Sequence, residues 1–104
     1  MIIGTTPTHS FNNSLKAADI KTIEIAYAQD KEVVLTKSTP DCIIKDNLIQ
    51  VTLTQEDTFK FNDAKIVEIQ VRVLKTDNKV VSIVPKQVSL VECFSDEVLK
   101  WISI

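Results

Sequence analysis

The residue types that most often do chemistry are sparse in this sequence. His9 is the only histidine and lies between Thr8 and Ser10. A hydrolytic triad needs a base held by a third group, and a zinc site needs several nitrogen, sulfur or carboxylate ligands. The residues next to His9 supply neither arrangement. We therefore expect His9 to be a structural residue at the surface or half-buried.

The two cysteines, Cys42 and Cys93, are the next candidates. They lack the C-x-x-C spacing of zinc and redox sites, and with one histidine a four-ligand zinc site would need a carboxylate. The N-terminal sequence MIIGTTPTHSF has no basic segment and no long apolar run, so it is not expected to be a secretory signal. Disulfides are rare in reducing compartments, so we expect two reduced, buried or half-buried thiols.

A third candidate is the acidic segment QEDT at residues 55–58, followed by Asp63. Carboxylates at this density could attract calcium, but the alternating oxygen ligands and loop glycine of a calcium loop are missing. Gly4 is the only glycine in the chain, so no glycine-rich phosphate loop is present. The sequence therefore predicts no catalytic residue, no metal site and no cofactor.

Length and charge narrow the class of partner. The 104 residues are expected to form one domain, residues 1–104. The net charge is −2 and Arg72 is the only arginine, which argues against binding to nucleic acid. No apolar run approaches the ~20 residues that a membrane-spanning helix needs. We expect neither nucleic acid nor membrane insertion.

Alternation of apolar and polar residues is the strongest structural signal. It predicts strands with one face on a core and one face outward. The residues predicted to face the core are Ile23, Ile25 and Tyr27; Ile49, Val51 and Leu53; and Val67, Ile69, Val71 and Val73.

Shorter runs bring the count to about seven strands. A first strand is predicted around residues 8–11, and EVVLTKS is predicted to turn Val33 and Leu35 inward. The long run VVSIVPKQVSLV contains Pro85, which predicts an edge strand or a bend. The turns QDKE, KDN and TDNK use Asp and Asn, which tolerate left-handed backbone conformations. The pattern predicts an antiparallel β-sandwich, with a small β-barrel as the alternative.

One segment interrupts the alternation. In LTQEDTFKF, Thr54 is a good N-cap and Asp57 follows three residues later, as in a capping box. Glu56 and Asp57 would lie in the first turn, where the helix dipole favours acidic residues. We predict a short helical turn near residues 54–59 that connects two strands.

This acidic turn resembles the E-D-T corner of immunoglobulin variable domains, although the Tyr-x-Cys that follows it there is missing. Several segments resemble sequences in a family of small proteins of tailed bacteriophages and prophages. These segments are GTTPTHSF, IAYAQD, VTLTQEDTFKF, EIQVRVL and CFSDEVL. Members are encoded in structural gene modules, beside tail and baseplate genes. The resemblance implies an immunoglobulin-like fold and carries over no catalytic or binding residue.

The resemblance implies a non-enzymatic structural or assembly protein. Its expected partners are other tail or baseplate proteins, with a homo-oligomer also open. Its expected location is the bacterial host cytoplasm during assembly and then the virion. The alternative is a free-standing binding module for a host-surface ligand such as a carbohydrate, for which Tyr27 and Trp101 are the aromatic candidates besides four phenylalanines.

The C-terminal sequence SDEVLKWISI supplies the candidate interface, Leu99, Trp101 and Ile102. Ser95 can cap a helical turn whose apolar stripe would be Val98, Leu99 and Ile102. An extended strand would instead place Leu99 and Trp101 on one face and Ile102 on the other. Either form ends on strongly apolar residues, which could contact a neighbouring protein or pack on the domain's own sandwich.

Overall fold

A computed structural model describes residues 1–90 and 98–99, with the side chains of residues 84–86 left undescribed. Cys93, Trp101 and Ile102 lie outside the described residues. So do both predicted forms of the C-terminal segment, apart from Val98 and Leu99, which belong to no helix or strand.

The described residues form seven strands and one α-helix, joined by short turns and two 3₁₀ helices, Ala17–Asp19 and Thr39–Asp41. In chain order the main elements are β1 Thr8–Asn12, β2 Ile20–Gln29, β3 Glu32–Ser38, β4 Cys42–Lys45, β5 Leu48–Thr52, α1 Gln55–Phe59, β6 Val67–Lys75 and β7 Val80–Val88.

The strands make two antiparallel sheets, one in the order β1-β5-β4 and the other in the order β3-β2-β6-β7. The chain changes sheet after β1, after β3 and after β5. The two sheets pack as an immunoglobulin-like sandwich, and the described strands close neither sheet into a barrel. The predicted sandwich is confirmed, and the barrel alternative is wrong.

The core lies between the inner faces of the two sheets, where strand alternation delivers apolar side chains from both sides. In the three alternating segments of the sequence, the residues predicted to face the core are buried. The core cluster consists of Phe11, Ile23, Ile25, Tyr27, Leu35, Ile49, Val51, Leu53, Phe61, Val67, Ile69, Val71 and Val73.

Strand β3 departs from the predicted alternation. Leu35 is buried, but Val33 is 61% exposed. The pairing of β2 with β3 shifts register between Tyr27 and Ala28, so that Tyr27 lies opposite Leu35 and Ala28 lies opposite Val33. This bulge leaves Val34 packed against the core and turns Val33 outward. The prediction that Val33 faces inward is wrong.

Strand β7 is at an edge of the four-stranded sheet, as Pro85 predicts. Its pairing with β6 also shifts register, because Ile69 lies opposite Lys86 whereas Val71 lies opposite Ile83. The irregularity therefore includes the proline, which cannot donate a hydrogen bond to a neighbouring strand.

The hairpin turns use the residues that the sequence singles out. Asp30, Asn47 and Asn78 have φ values of 50°, 65° and 67°. Asn and Asp adopt this left-handed conformation more readily than most residues because their side chains bond locally. Lys31 also has a positive φ, 65°, which the sequence does not predict.

Candidate functional site

The helix α1 forms where the sequence predicts it, directly after β5. The Thr54 hydroxyl accepts a hydrogen bond from the backbone N–H of Asp57 at 3.1 Å. In return, the backbone N–H of Thr54 donates to the Asp57 carboxylate at 2.9 Å. This reciprocal capping box starts a helix of five residues that would be unstable alone in water. Contacts with the rest of the chain must therefore maintain it.

The first contact is an ion pair between α1 and the edge strand β3. Lys37 lies opposite the buried Ile25, so its side chain projects from the core-facing side of the four-stranded sheet. Its Nζ is 2.7 Å from a carboxylate oxygen of Asp57, and the two side chains are 16% and 10% exposed. Burial alone would raise the pKa of the Asp57 carboxyl, but hydrogen bonds from Lys37 and Thr54 outweigh it and hold that pKa below its ordinary value.

The second contact joins α1 to the N-terminal segment. The Thr58 side chain is fully buried. Its hydroxyl accepts from the backbone N–H of Gly4 at 2.8 Å and donates to the backbone carbonyl of Gln55 at 2.7 Å. Thr58 thus satisfies one carbonyl of the helix and holds the first residues of the chain against it.

The third contact joins α1 to the C-terminal segment. The Gln55 side-chain amide donates from Nε2 to the carbonyl of Leu99 at 2.9 Å, and its Oε1 accepts from the Leu99 N–H at 2.7 Å. One side chain therefore binds both main-chain groups of Leu99. The Leu99 side chain is 78% exposed, so this residue is held by its backbone and not by burial.

The adjacent loop is fixed in a similar way by a buried amide. Gln29 ends β2, and its Nε2 donates to the carbonyls of Asn62 and Lys65 at 2.7 and 3.2 Å. Its Oε1 accepts from the Asn62 N–H at 2.9 Å. Side chains thus tie together strand β3, the N-terminal segment, the segment that contains Leu99 and the loop after α1, at one end of the sandwich. We call this the α1 end.

A buried polar pair lies in the core below α1. His9 Nδ1 and the Tyr27 hydroxyl are 2.8 Å apart, and the Tyr27 ring also contacts Phe61. Burial is the main cause that raises the pKa of the Tyr27 phenol, followed by the neighbouring Cys42 and Asp57 groups, so the phenol is neutral. His9 is 8% exposed, which is more buried than the sequence predicts.

Cys42 is half-buried, as predicted, and its thiol is free. Burial and then the Asp41 carboxylate raise the pKa of this thiol. Its Sγ is 3.4 Å from the carbonyl of Ser38. A raised pKa reduces the thiolate fraction, so Cys42 is a poor nucleophile.

Four of the exposed aliphatic residues belong to segments near the α1 end. The large apolar residues exposed in the described part of the chain are Ile2, Val33, Ile43, Ile66, Val80 and Leu99. Ile2 precedes the contact of Gly4 with Thr58, and Ile66 directly precedes β6. Val33 lies opposite Ala28 near the end of β2, and Leu99 is bound by Gln55. The other two residues, Ile43 and Val80, lie on β4 and β7, away from this end.

The sequence predicts the helix and its cap but not its partners. The pairing of Asp57 with Lys37, and of Gln55 with Leu99, depends on which strands and segments lie beside α1. The only local signal for Lys37 is a charged residue two positions after Leu35, on the inward side of the strand.

Among the described residues, no three His, Cys, Asp or Glu side chains are placed to hold a metal ion. No helix in the same part of the chain is long and apolar enough to cross a membrane. Comparison with known proteins finds no matching protein family, no matching curated protein and no matching solved structure. The likeness to tail and baseplate proteins therefore stays a hypothesis drawn from sequence segments.

Proposed function

We propose that this protein is a non-enzymatic structural or assembly component of a tailed phage or prophage particle. It acts through protein–protein contacts with other tail or baseplate proteins or with further copies of itself. It is made in the bacterial cytoplasm and retained in the particle. The resemblance of its sequence segments to phage structural proteins motivates this assignment.

The observation that carries the proposal is that four exposed aliphatic residues belong to segments near the same end of the sandwich; they are Ile2, Val33, Ile66 and Leu99. Single exposed aliphatic residues are common on protein surfaces, but several at one end form a candidate contact area. Contacts of this kind exclude water around a few apolar anchors.

The polar ties of the α1 end support the same interpretation. Asp57, Thr58 and Gln29 are buried. Asp57 pairs with the Lys37 side chain of β3, Thr58 binds the backbone at Gly4, and Gln29 binds the backbone of the loop after α1. The exposed aliphatic residues therefore stand on a backbone that is already ordered. A preordered surface loses little conformational entropy when it docks, which favours association.

The test is to examine purified particles from a host that carries the gene. Peptide mass spectrometry should detect this chain in the particles, and deletion of the gene should reduce their assembly or infectivity. Normal particles that lack the chain would contradict the proposal.

A matched pair of variants locates the contact. Val33→Lys and Ile43→Lys alter residues of similar exposure, 61% and 57%, on β3 and β4. We expect Ile43→Lys to restore assembly in the deleted host and Val33→Lys to restore it poorly. If instead the isolated protein stays monomeric and is retained on a glycan array, the carbohydrate-binding alternative is favoured.

A further inference from the structure

We draw no further inference here: the strongest candidate, the open groove between the loop after β1 and strand β7 that is lined by Leu15, Val81 and Ile83, carries nothing because nothing in the structure shows what covers it.

Discussion

The two ends of the sandwich are held together by different chemistry. At the α1 end, side chains that are largely buried reach across the fold, as Asp57 does to Lys37 and Thr58 does to Gly4. At the opposite end, which contains residues 12–15, 46–47 and 76–79 and which we call the hairpin end, the ties are exposed. The Ala17 N–H donates to the Asp46 carboxylate at 2.9 Å, and the Asn47 N–H donates to the Leu15 carbonyl at 2.8 Å. Removing a buried polar tie leaves its partner without water, whereas water can replace a tie that is exposed. The difference predicts where mutations will matter.

The largest expected effect is that of Asp57→Ala at the α1 end. It removes the helix cap and leaves Lys37 partly buried without its partner. Loss of one member of such a pair costs about 3–5 kcal/mol. The matched change at the hairpin end is Asp77→Ala, which removes an exposed carboxylate 3.6 Å from Lys75 Nζ and its hydrogen bond from the Lys79 N–H at 3.0 Å. It should cost less than about 1 kcal/mol. Urea unfolding of both variants measures the difference, and equal losses would refute the contrast between the ends.

Tyr27→Phe is expected to have the next largest effect. It removes the hydroxyl 2.8 Å from His9 Nδ1 inside the core and keeps the ring contact with Phe61. A buried group that loses its hydrogen-bond partner costs about 1–3 kcal/mol. A lower midpoint of urea unfolding, with an unchanged slope of the unfolding free energy against urea concentration, would confirm that the loss of stability is local. A Tyr27→Phe protein as stable as the wild type would show that this hydrogen bond does not contribute.

The same tyrosine makes the alkaline behaviour testable, because it is the only one in the chain. Its pKa is raised above the ordinary value of 10.0, so folding favours the neutral phenol. The stabilisation is therefore fully present below pH 10 and is lost as the pH rises further. Phenolate absorbance should appear above pH 10 together with unfolding. A reversible titration centred at pH 10 in the folded protein would contradict this burial.

Acid should weaken the α1 end by a smaller amount. The folded Asp57 pKa is lower than the ordinary 3.8, so the stabilisation is present above that value and is lost as the pH falls below it. In Asp57→Asn this component is absent. We expect the stability difference between the wild type and Asp57→Asn to shrink as the pH is lowered from 5 to about 2. If this stability difference stays constant over the range, Asp57 stabilises the fold by something other than its charge.

Local patterns predicted most of the fold. Alternation identified the buried residues of β2, β5 and β6, and the capping residues Thr54 and Asp57 predicted α1. These features depend on neighbours within a few residues, which the sequence states directly.

Features that depend on distant neighbours were missed. The bulge between β2 and β3 reversed the orientation of Val33, and nothing in EVVLTKS marks where such a bulge occurs. Lys37 and Asp57 are 20 positions apart, and Gln55 and Leu99 are 44 apart. Their pairing follows from the order of strands in the sheets, which a single sequence does not state.

The most direct test of the α1 end is hydrogen exchange at two backbone amides, those of Gly4 and Leu99. Gly4 donates to Thr58 and Leu99 donates to Gln55, so both amides report on α1 from opposite ends of the chain. In Asp57→Ala, the account predicts that both lose protection together, while the Asn47 amide at the hairpin end keeps most of its own. Asp77→Ala should leave all three unchanged. Uniform loss at the three amides in Asp57→Ala, or loss at neither Gly4 nor Leu99, would contradict the claim that α1 ties these segments together.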